Sequence, residues 1–285
     1  MSVPADSLLA GIRTVSLAVN LPGPVAASRF TSLGAHVTKV EPPSGDPLRI
    51  IAPDWYAELA RGQDARVLDL KDEGARSELE VLLAQTGLLL TSSRPEALTR
   101  LGLGWADLSA RLPRLCQVAI VGYPAPDDNL AGHDLTYQAV SGTLSPPMMP
   151  TVPIADLAGA ERAVSEGLAA ILHRDATGTA TYREVALSEV CQDLSQPVRR
   201  GTSTPDGVLG GALPTYGIYD TASGYVAVAA LEPHFWQRVV QLLKVSGSPE
   251  EFETVFLTRT ATDWEEWARA HGLPLSAVRS PGTPR

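Results

Sequence analysis

A histidine and an aspartate lie about two dozen residues apart among small residues, in the segments Gly132-His133-Asp134 and Ala155-Asp156-Leu157. An imidazole and a carboxyl that face one substrate carbon can remove a proton from it and return one, as proton transfer beside a carbonyl requires. The proline-rich stretch from Ser145 to Pro153 joins the two segments and could let them meet. His133 and Asp156 therefore form a candidate acid–base pair.

Asp156 has a second interpretation that needs no catalysis. An aspartate ahead of an apolar-periodic segment is typical of a helix N-cap, and the apolar positions after it predict a helix over 156–173. The functional interpretation, in which Asp156 is catalytic, depends on the same position at the start of a helix. Ala158 and Gly159 are small enough to let a ligand approach, and the free amides of a helix start can bind a developing oxyanion. Both interpretations can hold together.

His133 and Glu232 also have alternatives. A lone histidine is more often structural or simply exposed than catalytic. Glu232 stands in Leu231-Glu232-Pro233 directly after an apolar run, where burial is expected, and its alternative role is to cap a helix that begins at Pro233. Buried against His133, this carboxylate would hold the imidazole and raise its basicity.

Basic residues near two predicted turns are candidates for binding an anionic group. Lys71 is one of only three lysines in the chain. Arg94 precedes a short helix predicted over 95–101, and Arg100 lies near its end. The alternative is a solvated helix face. No Gly-x-Gly-x-x-Gly follows the first strand, which argues against classical dinucleotide binding. No Cys/His set has zinc spacing, so no metal site is predicted.

Composition narrows the class of protein. The 285 residues carry a formal net charge of −9, which argues against a nucleic-acid partner. Hydrophobic residues make up 44%, as in a soluble globular protein, but no apolar run approaches the ~20 residues of a membrane span. The first residues show no secretory signal, and two cysteines suit a reducing compartment, so a cytoplasmic protein without a membrane partner is expected.

Strands and helices alternate through the first two thirds of the chain. Strands are predicted at 12–17, 36–40, 66–70, 87–91, 115–121 and 182–187, with helices between them. This alternation predicts an α/β fold, a Rossmann-like open parallel sheet with helices on both faces. We expect a large domain over 1–190, a linker over 191–213 and a small α+β domain over 214–285 that starts with a hairpin.

Several motifs resemble the family III CoA-transferases (CaiB/BaiF), the group that also contains α-methylacyl-CoA racemase. The matching segments, in order along the chain, are Leu17–Pro24, Leu33–Pro43 with Gly45-Asp46, Leu68–Lys71, Arg94–Gly104 and Gly132–Tyr137. The resemblance implies a CoA thioester as substrate, no tightly bound cofactor, a Rossmann-like large domain beside a smaller one, and an interlocked homodimer.

The resemblance also implies roles for single residues. Asp156 falls on the family's catalytic aspartate, which is a nucleophile in transferases and an acid–base group in racemases. His133 and Glu232 fall on the racemase histidine and glutamate. The positions where relatives hold CoA, with the adenine near Arg100, are Lys71, Arg94, Arg100, Asp134 and Tyr137.

Departures from the family pattern shape the functional expectation. Leu209–Leu213 is no counterpart of the transferase glycine-rich loop, and Pro42 replaces a basic residue. The sequence ends soon after Ser280, where relatives continue with a segment that returns to the large domain, so the interlocked dimer is expected to be altered. The first hypothesis is a racemase of 2-methylacyl-CoA thioesters. The second is a CoA transferase with Asp156 as nucleophile, and the third is a CoA-binding protein without turnover.

Overall fold

The computed structural model describes residues 8–280, which divide between Leu194 and Ser195 into two compact units. The range 191–213, for which the composition predicts a linker, begins inside a helix that ends at Leu194, includes the short helix Gln196–Arg199, and continues through turns. No helix among residues 8–280 combines the length and apolar character that a bilayer span needs.

A six-stranded parallel sheet organises the first unit. Its strands are β1 (Arg13–Ser16), β2 (His36–Glu41), β3 (Asp64–Val67), β4 (Leu88–Thr91), β5 (Cys116–Val121) and β6 (Tyr182–Ala186). Their spatial order is β3-β2-β1-β4-β5-β6. All neighbouring pairs are parallel. The chain therefore builds outward from β1 in one direction and then, from β4, in the other. The gap between β1 and β4 is the topological switch point, where such sheets bind ligands beyond their carboxyl ends.

Helices cover both faces of this sheet, as the alternating pattern predicts. They are α1 (Pro22–Ser32), α2 (Pro47–Ile51), α3 (Pro53–Leu59), α4 (Glu73–Leu83), α5 (Pro95–Arg100), α6 (Trp105–Arg111), α7 (Asp134–Ser141), α8 (Ile154–Thr177) and α9 (Leu187–Leu194). Apolar side chains of α1 and α8 pack on one face, and those of α4, α5 and α6 on the other. Strands buried on both sides explain the continuous apolar runs of β4 and β5. The predicted α/β class is confirmed.

Helix α8 lies close to α1 because glycine allows it. A Cβ added at Gly167 would stand 2.7 Å from the ring of Phe30 on α1, well inside contact distance. Gly178 ends α8 in the left-handed conformation, with φ of 79°. Gly167 thus allows the close packing of α8 on α1, and Gly178 ends the helix.

The second unit contains the predicted hairpin and an additional strand. Its elements are α10 (Gln196–Arg199), β7 (Tyr216–Asp220), β8 (Tyr225–Ala229), α11 (Pro233–Leu243), α12 (Pro249–Phe256), α13 (Ala261–His271) and β9 (Leu275–Ala277). The strands form an antiparallel sheet with β8 in the middle. Phe252, Phe256 and Trp264 fill the core between this sheet and the helices.

Candidate active site

A cavity of about 110 Å³ lies at the carboxyl ends of β1, β4 and β5, beside the switch point of the sheet. Its lining residues are Val19, Asn20, Pro22, Ser92, Ile120, Val121, Gly122, Gly132, His133, Tyr137, Asp156 and Leu187. His133 and Asp156, the candidate acid–base pair, therefore line the same partly open cavity. A neighbouring cavity of about 230 Å³ shares His133 and Tyr137 and adds Arg94.

The turn after β1 forms one wall and is held by buried polar groups. Asn20 has a φ of 65°, a left-handed conformation that is uncommon for non-glycine residues but that asparagine tolerates better than most. The Asn20 amide donates to Asp46 Oδ1 at 3.1 Å, and the Val19 amide donates to Ser92 Oγ at 2.8 Å. Two side chains from outside the turn thus fix its backbone.

Asp46 forms a fully buried ion pair with Lys39. The Lys39 Nζ donates to Asp46 Oδ2 at 2.8 Å and to the Ala18 carbonyl at 2.9 Å, and both side chains are about 1% exposed or less. Each charge is therefore neutralised by the other, and both side chains also hydrogen-bond the backbone around the turn, Lys39 at the Ala18 carbonyl and Asp46 at the Asn20 amide. This role is missed by the sequence analysis. The sequence feature that could have indicated it is the rarity of lysine, because Lys39 stands within an apolar strand.

Asp156 lies in the first turn of α8, but not where the N-cap interpretation places it. The helix begins at Ile154, two residues earlier than predicted, and Pro153 is the N-cap residue. Burial raises the pKa of Asp156 to about 6, with a further increase from the charge of Asp134 and a decrease from His133. The carboxyl is therefore ready to exchange protons near neutral pH.

Asp134 takes up the helix amides that we expected to be free for an oxyanion. Its Oδ1 accepts hydrogen bonds from the Ala155 amide at 2.7 Å and the Asp156 amide at 3.1 Å. Proline at the N-cap offers no side-chain acceptor, so an aspartate from another helix does the capping. The expectation that the start of α8 binds an oxyanion is wrong for these two amides.

His133 is exposed and occupies the N-cap position of α7, with extended backbone. Its amide donates to Thr136 Oγ1 at 3.0 Å, and the Thr136 hydroxyl donates back to the His133 carbonyl at 2.8 Å. These backbone bonds fix the imidazole-bearing residue at the mouth of both cavities. Helix α7 itself is not anticipated by the sequence analysis.

Tyr137, one turn into α7, is 2% exposed and borders both cavities. Its ring stands edge-on against Tyr123 with centroids 5.3 Å apart. Gly122 and Gly132 leave the room it needs, because a Cβ at either position would lie 2.5 Å from a Tyr137 atom. Burial raises the pKa of Tyr137 to about 12, so its hydroxyl stays protonated.

The basic residues predicted to hold an anion are only partly brought to these cavities. Arg94 lines the larger one, but Lys71 and Arg100 line neither. Both are exposed, and Arg100 Nε donates to the Glu96 carbonyl of its own helix at 3.3 Å. Among residues 8–280 no cluster of three or more histidine, cysteine or acidic side chains could hold a metal ion.

Glu232 lies in the second unit at the N-cap position of α11, directly before Pro233. The burial expected for it is wrong: its side chain is exposed, because it follows the end of β8 at the surface. No side-chain hydrogen bond to the helix start accompanies this position. The capping interpretation therefore fits its place in the chain but not its contacts.

Comparison with known proteins gives matches along most of the chain. The sequence pattern described as CoA-transferase family III matches residues 9–283. The human alpha-methylacyl-CoA racemase is 30% identical over 288 residues, which cover 90% of this chain and 74% of that protein. A Mycobacterium tuberculosis protein named probable fatty acyl-CoA transferase is 26% identical over 321 residues, covering 93% of this chain and 81% of that protein.

Solved structures show the same fold. A crystal structure of a hypothetical protein from Mycobacterium tuberculosis matches with a TM-score of 0.82 at 26% identity, covering 96% of this chain and 86% of that chain. A CaiB/BaiF family protein from Brucella suis matches with a TM-score of 0.81 at 21% identity, covering 98% and 85%.

Proposed function

Since this chain belongs to CoA-transferase family III, we propose that it epimerises a 2-methylacyl-CoA thioester. The observation that supports this activity is the shared cavity of His133 and Asp156. Epimerisation needs two groups that can each gain or lose a proton, one for each face of the α-carbon. Relatives of both kinds, a racemase and a transferase, match this chain, so the choice between them depends on the site.

The proposed reaction moves one proton off the α-carbon and another onto it. One residue of the pair takes the α-proton, and the electrons of the C–H bond form the C=C bond of an enolate while the thioester oxygen gains the negative charge. The other residue, protonated beforehand, delivers its proton to the opposite face and the thioester carbonyl reforms. A carboxyl with a pKa of about 6 suits either direction, since both of its protonation states are accessible near neutral pH.

The enolate oxygen needs hydrogen-bond donors, and we place them at the start of α7. The amides of Asp134 and Leu135 have no acceptor among the described residues, and the adjoining Gly132 and His133 line both cavities. The first amides of a helix carry partial positive charge, which stabilises a developing oxyanion. The start of α8 is less suited, because Asp134 already occupies two of its amides.

Exchange in heavy water tests the racemase proposal. The enzyme incubated with a 2-methylacyl-CoA in D2O should incorporate deuterium at the α-carbon, and an Asp156→Asn variant should epimerise the substrate at least a hundredfold more slowly. A wild-type enzyme that leaves the α-carbon unlabelled, while it binds the thioester, would reject the proposal.

The alternative is CoA transfer between carboxylic acids. It is favoured by the same carboxyl, since Asp156 faces the cavity and is largely ionised above pH 6, as a nucleophile must be. Attack on the thioester carbonyl would form a mixed anhydride and release CoA thiolate. Hydroxylamine should then inactivate the enzyme only in the presence of acyl-CoA and convert Asp156 to a hydroxamate. An Asp156 that remains unmodified after such treatment rules this alternative out.

A further inference from the structure

We propose that Asp134 and Gln138 are positioning residues that lock the start of α8 onto α7 and so fix where the Asp156 carboxyl stands. The inference rests on the proposed acid–base role of Asp156. It gives Asp134 a role different from the one that the family resemblance implies, which is to hold CoA.

The contacts of Asp134 are all internal to the protein. Its carboxylate is buried, with 9% of the residue exposed, and Oδ1 accepts from both the Ala155 and Asp156 amides. The same residue that carries the candidate acid–base carboxyl is thus held through its own backbone. A shift of this bond would displace the Asp156 side chain directly.

Gln138, one turn further along α7, adds two hydrogen bonds to those of Asp134. Together these bonds between α7 and the start of α8 are called the Asp134 clamp. Its Nε2 donates to Asp134 Oδ2 at 2.6 Å and to the Val152 carbonyl at 3.2 Å. The first bond orients the carboxylate and the second ties the loop just before α8. Gln138 is 3% exposed, and its bond to Asp134 is buried, whereas its bond to the Val152 carbonyl is only partly buried.

Asp134 affects Asp156 through its negative charge as well as through its hydrogen bonds. A negative charge at the start of α8 is favourable to the helix but opposes a second ionised carboxyl beside it. His133 has the opposite effect and lowers the pKa of Asp156. Further ionisable side chains on α8 and the elements packed against it are Arg29, Cys116, Tyr137, Glu161, Arg162, Glu166, His173, Arg174, Asp175, Tyr182, Arg183, Glu184, Glu189, Cys191 and Asp193. Eight of them form the ion pairs Arg29–Glu161, Arg162–Asp193, Arg183–Glu166 and Arg174–Asp175.

A pair of substitutions separates charge from position. Asp134→Asn keeps an oxygen for the two amides but removes both the charge and the acceptor for Gln138 Nε2. Loss of the charge should move the acidic limb of the kcat/KM profile for α-proton exchange to lower pH by about one unit. Gln138→Met keeps the charge but loses both donor contacts, so the plateau rate should fall about tenfold without that move. Asp127→Asn, an exposed aspartate in the preceding loop, is the matched control for loss of one charge.

A titration of the Asp156 carboxyl by ¹³C NMR, assigned with Asp156→Asn, gives a readout that does not depend on turnover. Its midpoint should fall in Asp134→Asn and stay in place in Asp127→Asn. If the wild type shows no exchange, the proposed function fails and this titration still decides the clamp. An unchanged midpoint in Asp134→Asn, together with a raised KM for the thioester alone, would overturn the inference and make Asp134 a CoA ligand.

Discussion

The surroundings of Asp156 disfavour the ionised form of its carboxyl. Its carboxyl is partly buried and faces the Asp134 carboxylate, and both features disfavour the ionised form. The protein therefore contains a group that costs folding free energy whenever it is charged. Such a cost is common at acid–base sites, where a pKa near the working pH matters more than stability.

The stability of an Asp156→Asn variant should reveal this cost through its pH dependence. The pKa of Asp156 is raised from 3.8 to about 6, so the folded state binds the proton more tightly than the unfolded state. The folded carboxyl is unpenalised below about pH 4, and the stability it contributes is lost as the pH rises through about 6. The variant should match wild type at pH 4 and exceed it by about 2 kcal/mol at pH 8.

Urea unfolding of both proteins across pH 4–8 checks this expectation, and Asp127→Asn provides a control with the same loss of charge at an exposed position. A stability difference that stays constant across this range would mean that burial does not perturb Asp156.

The elements around the cavity fit together through glycines at particular points. Tyr137 on α7 is enclosed by Gly122 after β5 and by Gly132 before α7. Near Gly122 only the hydroxyl of Tyr137 is too close for a methyl group, at 2.5 Å, and the next ring atom is at 3.5 Å. Near Gly132 three Tyr137 atoms lie within 2.8 Å. The two glycines thus accommodate different parts of one side chain.

This difference predicts an asymmetric rescue. Gly122→Ala should destabilise the protein by about 1–3 kcal/mol through overpacking, and Tyr137→Phe in the same chain should recover most of the loss because the clashing hydroxyl is gone. Gly132→Ala should cost at least as much and should not be rescued, since the ring itself is in the way. Thermal unfolding of the single and double variants measures both effects. Equal rescue at the two positions would contradict the packing described for Tyr137.

At this scale the sequence predicts the sheet well. Regular alternation and apolar runs locate the six strands to within a few residues. The pattern is strongest in the central strands such as β4 and β5, which are buried on both faces, whereas the edge strand β3 is largely exposed. Helix α7, which has eight residues, is missed because its segment is interpreted only for the chemistry of His133 and its neighbours. The start of α8 is misplaced because its cap comes from Asp134, more than twenty residues earlier, rather than from the residue before the helix.

The candidate site is predictable in its residue types but not in its internal bonds. His133 and Asp156 attract attention by type and setting, and the fold brings them to one cavity. The Lys39–Asp46 pair and the Asp134 clamp depend on where separate elements pack in space. No local pattern in the sequence encodes those distances, so the holding residues appear only in the structure.

For the whole molecule, we propose a homodimer, as the family resemblance implies. The first unit leaves large apolar side chains in water, among them Val140 at 76%, Met148 at 73% and Met149 at 69% exposed. Exposed apolar residues of this kind are typical of surfaces that bind a partner. Light scattering after size-exclusion chromatography at micromolar concentration should give twice the mass of the chain. The mass of a single chain would contradict the dimer.

The central claim is that His133 and Asp156 serve opposite faces of one α-carbon. The direct test is α-proton exchange in D2O measured separately on the R and S epimers of a 2-methylacyl-CoA, with wild type, His133→Ala and Asp156→Asn. We expect wild type to label both epimers, each variant to lose epimerisation, and each variant to keep exchange on one epimer only, a different one for each. Both variants retaining exchange on the same epimer, or either retaining full epimerisation, would contradict the two-residue account.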